Sequence, residues 1–463
     1  MEIILLSGGS GKRLWPLSND SRSKQFLKVL ETRDNKYQSM VQRVWAQLKN
    51  EGLSKNTTIA TSKSQVEIIL NQLNDEADII VEPSRRDTFP AIALAATYLH
   101  SVKCIDENEI VAVLPVDPYV NNDFFDKVKE LEDAIKFCNS NIALIGVKPT
   151  YPSEKYGYII PTTNNYTETN SKYINVSAFK EKPTKETAEQ LLQKGALWNC
   201  GIFSFRLSYI LNLLIEMNFP VNYNRLLANY SELPKNSFDY QVVEAERNII
   251  VLPYEGEWKD LGTWNTLTEE MKNNQIGKGV LGEGARNTHV INELDIPVTV
   301  LGISNAIVAV SPDGILVSDK DKSPKIKDYV QLYNTQPMYD ERRWGSYRIL
   351  DFTKIESGIE VITKKIKVKA GSNLSYQYHN NREETWTIID GEGLVALNGE
   401  LKSVTSGDII KINKKDKHAL KAITDLEIIE VQSGISIVEE DIFRIAENWD
   451  EIEKKCSKNK ILF

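Results

Sequence analysis

Residues 3–27 read Ile3-Ile4-Leu5-Leu6-Ser7-Gly8-Gly9-Ser10-Gly11-Lys12-Arg13-Leu14-Trp15-Pro16-Leu17-Ser18-Asn19-Asp20-Ser21-Arg22-Ser23-Lys24-Gln25-Phe26-Leu27. The opening apolar run predicts a short buried strand. The chain then breaks at Gly8, Gly9 and Gly11, where glycines let backbone N–H groups approach a ligand closely. Lys12, Arg13 and Lys24 add positive charge beside that loop. A strand, a glycine loop and cations suit a polyphosphate; the plainer reading is a tight turn among solvated charges. Two familiar phosphate motifs do not fit. A P-loop needs Ser or Thr after Gly11-Lys12, where Arg13 stands, and an earlier glycine where Leu6 stands. A dinucleotide fingerprint needs glycine where Leu14 stands.

Outward from this stretch, short apolar runs alternate with helical patterns. Strands are expected at 58–61, 79–81, 110–114 and 142–147, and helices at 39–50, 65–73 and 91–100. That alternation predicts a doubly wound α/β sheet with ligands at the strands' carboxyl ends. The glycine loop, Arg86 and Asp117 all fall at such ends, so three strands supply polar groups to one crevice. Asp117, closing an apolar strand, is placed where a carboxylate can hold Mg²⁺ against phosphates; alone it reads equally well as a turn or cap residue.

The 463 residues allow two or three domains. A net charge of −8 without a large basic block argues against nucleic acid as a partner. The chain opens directly in a strand, without a signal peptide, and no apolar run reaches the roughly 18 residues of a membrane span. Cys104, Cys138, Cys200 and Cys456 lie far apart and read as reduced thiols of a cytoplasmic protein.

The opening stretch, with its Leu14-Trp15-Pro16-Leu17-Ser18 and Lys24-Gln25-Phe26-Leu27, resembles the signature of sugar-1-phosphate nucleotidylyltransferases, in the mannose-1-phosphate guanylyltransferase branch. Lys12 and Ser23 depart from its usual Thr and Pro. Further blocks carry the resemblance: Glu82-Pro83-Ser84-Arg85-Arg86-Asp87-Thr88-Phe89-Pro90-Ala91, Lys155-Tyr156-Gly157-Tyr158-Ile159, Phe179-Lys180-Glu181-Lys182-Pro183, Trp198-Asn199-Cys200-Gly201-Ile202-Phe203, Ser237-Phe238-Asp239-Tyr240 and Trp258-Lys259-Asp260-Leu261-Gly262. The resemblance implies a Rossmann-like nucleotidyltransferase domain over 1–270. It places the nucleotide against Leu6, Gly8, Gly9, Ser10, Gly11, Arg13, Arg86 and Asp87, and the sugar phosphate against Tyr156, Gly157, Glu181, Lys182 and Asn199. It makes Asp117 and Asp260 the Mg²⁺ carboxylates, with Arg13, Lys24 and Lys182 the catalytic cations. The partners implied are GTP, or another nucleoside triphosphate, and a sugar-1-phosphate. Asp87 stands where the family has Asn and Phe89 where it has Ala, which leaves the base open.

From 271 to 339 short apolar runs with turns predict a small β-rich connecting subdomain, and the mixed charges of Lys320 to Lys327 a solvated loop. From 340 to 463 regular turn signals predict an all-β barrel. Two of the chain's four histidines fall there, His379 and His418. Gly371, Gln377, His379, Glu384 and Gly391, then Gly407, Asn413 and His418, resemble the two cupin motifs, with Gln377 in place of a first His. Gln377 and His379 share one face of a strand by period two, and with Glu384 and His418 they suit Zn²⁺ or another divalent ion. Arg342-Arg343-Trp344-Gly345, Gln377 to Trp386 and Glu430-Val431-Gln432-Ser433-Gly434 resemble type II phosphomannose isomerases, which adds Arg382 as an isomerase candidate. Asn380, Asn381 and Thr385 stand where that family has histidines. The barrel therefore reads as an isomerase or as a non-catalytic binding or dimerisation module, with a homodimer as a further partner expectation.

Overall fold

The computed structural model describes residues 1–9, 12–19, 21–32, 34–74, 76–162, 172–333 and 336–457. In chain order the first unit contributes strands β1 (Glu2–Ser7), β2 (Leu30–Glu31), β3 (Tyr37–Gln38), β4 (Thr57–Ser62), β5 (Asp78–Glu82), β6 (Ile110–Pro115), β7 (Pro118–Val120), β8 (Ile142–Val147), β9 (Tyr158–Pro161), β10 (Ile174–Lys180), β11 (Leu197–Arg206), β12 (Ile249–Tyr254) and β13 (Trp258–Asp260). Nine of these form one sheet in the order β5-β4-β1-β6-β11-β8-β12-β10-β9. β1 runs parallel to both β4 and β6, so the glycine loop leaves the centre of the parallel half.

The alternation along β1 explains the two-layered core. Ile3 and Leu5 point to one face, where they join α1 (Met40–Asn50) and α2 (Val66–Leu73). Ile4 points to the other, against α3 (Thr88–Ser101). Ser39 caps α1 in a reciprocal capping box with Gln42. α3 begins three residues before the expected start because Asp87 caps it, accepting the Thr88 N–H at 2.8 Å. β7 and β13 pair separately as a two-stranded ribbon with Asp260 opposite Pro118. That ribbon brings Asp260 beside Asp117.

The connecting region is indeed β-rich. Gln275–Ile276, His289–Asn292 and Ala306–Ser311 stack in parallel, and Gly314–Asp319 closes as a hairpin. The charged run at 320–327 is not a solvated loop. It forms a 3₁₀ turn, Lys320–Lys325, and enters the helix Ile326–Val330. Lys320 is buried, donating to Asn287 Oδ1 at 2.8 Å, while Ile326 and Val330 pack with Leu14, Leu17 and Trp264. The apolar spacing at 326 and 330 outweighs the charges between them. Arg22 locks this region to the opening stretch through a bidentate pair with Glu293 at 2.9 and 2.8 Å.

Beyond it, a six-stranded and a five-stranded antiparallel sheet form the barrel. Its inner core is built around Trp386, Ile388, Val395, Leu420 and Ile428. The helix Trp449–Ser457 covers the five-stranded sheet with Trp449, Ile452 and Cys456. Among the described residues no helix is long and apolar enough to cross a membrane.

Candidate active sites

The glycine loop rests on buried amides. Gln65 donates from Nε2 to the Gly9 carbonyl at 3.2 Å and to Ser23 Oγ at 2.7 Å. Ser23 Oγ donates to the same carbonyl at 3.0 Å. Gly9 holds φ +119°, a conformation L side chains rarely adopt. Leu6 lies in the sheet, its carbonyl accepting the Val116 N–H. Ser10 and Gly11, expected at the nucleotide, lie outside the described residues.

Beside this loop Lys24 Nζ stands 2.6 Å from Asp117 Oδ2 and 3.4 Å from Asp260 Oδ1. Burial works against both charges of the Lys24–Asp117 pair. Their mutual attraction outweighs it, so Lys24 is pushed up and Asp117 is held below the usual carboxylate range. Arg13 is exposed in the turn Lys12–Leu14, near enough for its charge to act on both. Two carboxylates converging on one cation at the end of a parallel sheet are a donor set for a hard divalent ion.

Asp117 and Asp260 also line a cavity of about 180 Å³ with Tyr156, Gly157, Glu181 and Asn199. The carboxylates expected at Mg²⁺ and the groups expected at the sugar phosphate thus share one space. Tyr156 packs against Trp198 and Trp258 with ring centroids 4.9 and 5.4 Å away. Lys182 Nζ pairs with Glu181 Oε1 at 2.7 Å, which raises the ammonium pKa against the effect of burial. Glu181 Oε2 is buried and has no hydrogen-bond partner among the described residues. Asn199 accepts the Gly201 N–H and donates to Asp239 Oδ1 at 2.6 Å. Burial and the charge of Glu181 push the Asp239 carboxyl up to about 7. Asp239 therefore belongs to this site, as does Glu244, whose Oε1 accepts the Glu181 N–H at 3.0 Å. Their block was visible in the sequence, but nothing in its spacing shows that Asp239 turns inward.

Arg86 and Asp87 are not brought onto this cluster. Arg86 donates from Nε and Nη2 to the Leu233 carbonyl. Asp87 is exposed and spends Oδ1 on the α3 cap, while Phe89 is buried in the apolar core. The two departures that left the base open thus have local structural work.

In the barrel, His379, Glu384 and His418 are buried and present ligand atoms within 4.8 Å of one another. His379 Nδ1 faces the Asp441 carbonyl at 2.8 Å and His418 Nδ1 faces the Asp416 carbonyl at 2.9 Å. With Nδ1 donating to a carbonyl in each ring, Nε2 is the nitrogen left to face a metal. Those two nitrogens lie 3.1 and 3.6 Å from the Glu384 oxygens. Lone pairs opposed to a carboxylate form a ready divalent-metal site. Gln377 pairs in register with His418 and lines the cavity beside the cluster. Arg382 donates from Nε to Glu384 Oε1 at 3.0 Å, and its Nη2 is 3.3 Å from His379 Nε2. Trp386 and Gln432 also donate to Glu384, and both reach Glu430, which burial and Glu384 push up to about 7. Asn380 and Asn381 hold Asp441 through their backbone N–H groups.

Comparison with known proteins supports both units. A "Nucleotidyl transferase" family model matches residues 2–275, and a "Mannose-6-phosphate isomerase C-terminal" model matches 332–447. A mannose-1-phosphate guanylyltransferase of Salmonella montevideo is 31% identical, over 96% of this chain and 98% of its own. The alginate biosynthesis protein AlgA of Pseudomonas putida is 30% identical, over 95% and 94%. A solved structure from Thermus thermophilus, described as a mannose-1-phosphate geranyltransferase, is 27% identical with a TM-score of 0.57, covering 72% of this chain and 98% of that one. The chain thus belongs to the mannose-1-phosphate guanylyltransferase and type II phosphomannose isomerase family, enzymes joining a nucleotidyltransferase to an isomerase-type cupin barrel.

Proposed function

We propose that the protein transfers GMP from GTP to mannose-1-phosphate with Mg²⁺, releasing GDP-mannose and pyrophosphate in the cytoplasm. Residues 1–270 carry that reaction and 271–339 connect it to the barrel. Residues 340–463 interconvert mannose-6-phosphate and fructose-6-phosphate with a bound divalent ion, Zn²⁺ in this reading. The observation that carries the transfer is the meeting of Lys24, Asp117 and Asp260 at a cavity also lined by Glu181 and Asn199.

The nucleophile is a phosphate oxygen of the sugar, already an anion, so no general base is needed. Its bond to the α-phosphorus forms as the bond to pyrophosphate breaks, and the electron pair leaves with pyrophosphate. The task is to bring anions together and hold them in line. Glycine-loop N–H groups, Arg13 and Lys24 hold the triphosphate. Lys182 neutralises the incoming phosphate, and Glu181, Asn199 and Asp239 hold sugar hydroxyls. Asp117 and Asp260 would bind Mg²⁺, which supplies charge compensation at the transferring phosphate. In the barrel His379, Glu384, His418 and Gln377 would hold the metal, which supplies Lewis acidity toward a sugar carbonyl. Arg382 orients Glu384 and His379.

Pyrophosphate release by Asp117→Asn and Asp260→Asn tests the transfer site. Each should lose at least about 10²-fold in turnover while the circular dichroism spectrum stays that of the folded parent. Near-normal turnover in either variant would remove the two-carboxylate site.

A further inference from the structure

The cavity above the barrel's His–Glu–His cluster measures about 580 Å³, and the barrel does not enclose it alone. Lys63, in the 3₁₀ turn before α2, and Glu67, on α2, line it together with Gln377, Arg382 and Glu384. This junction is built with buried bonds. Asn71 of α2 is buried and donates from Nδ2 to the Arg342 carbonyl and, at 3.0 Å, to the Gly345 carbonyl. Lys369 Nζ donates to Asn71 Oδ1 at 3.1 Å, and the Arg343 N–H donates to Glu67 Oε2 at 3.1 Å. α2 is therefore docked on the first hairpin of the barrel.

The charges around the cavity are unevenly committed. Glu67 serves the Arg343 backbone, Glu384 serves His379 and Arg382, and Glu430 serves Trp386 and Gln432. Lys63, Arg343 and Arg444 also line the cavity, and their side chains form no ion pair among the described residues. Among the described lining acids, Glu447 alone has no such commitment. A cavity lined both by carbonyl-polarising groups and by cations without an ion pair fits a ligand with two different ends. A hexose monophosphate has that chemistry: a dianionic phosphate and a carbonyl-and-hydroxyl end.

We propose that the phosphate of a hexose 6-phosphate is held at this junction by Lys63 of the first unit together with Arg343 and Arg444, so that the barrel's sugar-phosphate site is completed by the nucleotidyltransferase. This deepens the isomerase reading and rests on it for the substrate class. Lys63 is exposed and packs no core, so its replacement leaves the fold and the transfer site untouched.

The test uses the full chain. Lys63→Ala, Lys63→Arg and Arg343→Ala are compared with the parent protein for isomerisation kinetics, for equilibrium binding of mannose-6-phosphate, mannose and GTP, and for nucleotidyl transfer. Lys63→Ala should weaken mannose-6-phosphate binding and raise its KM about tenfold, the worth of one charge-assisted hydrogen bond. kcat and nucleotidyl transfer should hold, and Lys63→Arg should recover most of the loss. Mannose should bind too weakly to register a difference. A parent protein that binds mannose-6-phosphate without turning it over, and loses that binding in Lys63→Ala, would uphold the junction site while refuting the isomerase. Turnover with a KM indifferent to Lys63 would refute the junction site while upholding the isomerase. A defect confined to GTP would also overturn the proposal, because the phosphate recognised would then be the nucleotide's.

Discussion

Gly157→Ala tests the proposed sugar side of the transfer site. A Cβ at this position would lie 2.4 Å from Glu181 Oε2, 2.8 Å from Phe179 Cζ and 3.3 Å from Asn199 Cβ. Gly157 is not among the residues with positive φ, so close approach alone excludes the methyl group. To reach ordinary contact the Glu181 carboxylate must retreat by roughly 1 Å, a shift large enough to cost about 10²-fold in a positioned reaction. It cannot retreat freely, because Lys182 holds its other oxygen and Glu244 accepts the Glu181 backbone N–H. The Asn199 N–H is also tied to the Gly157 carbonyl at 2.8 Å, so a backbone adjustment moves Asn199 as well. We expect kcat/KM for the sugar-1-phosphate to fall about 10²-fold, equivalent to about 2.7 kcal/mol of transition-state stabilisation. Overpacking should cost about 1–3 kcal/mol of stability, while KM for the triphosphate stays near its parent value because the glycine loop is untouched. Initial rates with each substrate varied, beside a thermal melt, measure both terms. A sugar-phosphate kcat/KM within about twofold of the parent would be far short of this effect and would refute the placement of Glu181 and Asn199 on the sugar.

Two further outcomes concern the barrel's metal and a titrating carboxyl. Metal analysis of the purified protein should find a divalent ion that His379→Ala and Glu384→Gln both lose, with nucleotidyl transfer in added Mg²⁺ unchanged; retention of the ion in both variants would refute the His–Glu–His site. Asp239 has its folded pKa raised to about 7 by burial and by Glu181, above its ordinary 3.8. The folded state therefore holds this proton more tightly, and the associated stability is complete below about pH 4 and lost as pH rises through about 7. Asp239→Asn removes that dependence, so the parent's melting temperature should fall relative to the variant's between pH 5 and 7 and then run parallel. A constant difference across that range would refute the raised carboxyl.

Much of this was legible because local pattern and burial agree. β1 and β6 are apolar runs that break at polar residues, so their carboxyl ends, and with them the glycine loop and Asp117, could be read from the chain. Scarcity helped in the barrel: with so few histidines, His379 and His418 stood out, and they do meet at Glu384. What stayed hidden depends on long-range placement. The ribbon that carries Asp260 to Asp117 consists of two three-residue strands, too short for any periodicity. Asp239 faces inward from the helical turn Asp239–Val243, where Asn199, on β11, donates to it. Arg86 and Asp87 carried an expected nucleotide role, yet a carbonyl and a helix cap take up their polar groups. Charge alone predicts solvent for Lys320, and the apolar pair that follows it draws the segment inward. The cavity shared by Lys63 and Arg343 joins residues that no sequence window contains together.

The central claim is tested most directly by pyrophosphate release from the purified protein with Mg²⁺ and mannose-1-phosphate, run in parallel with GTP, ATP, CTP and UTP. The account predicts release with GTP alone, matched by an equal amount of GDP-mannose. Release with another triphosphate and none with GTP, or silence with all four, would contradict it.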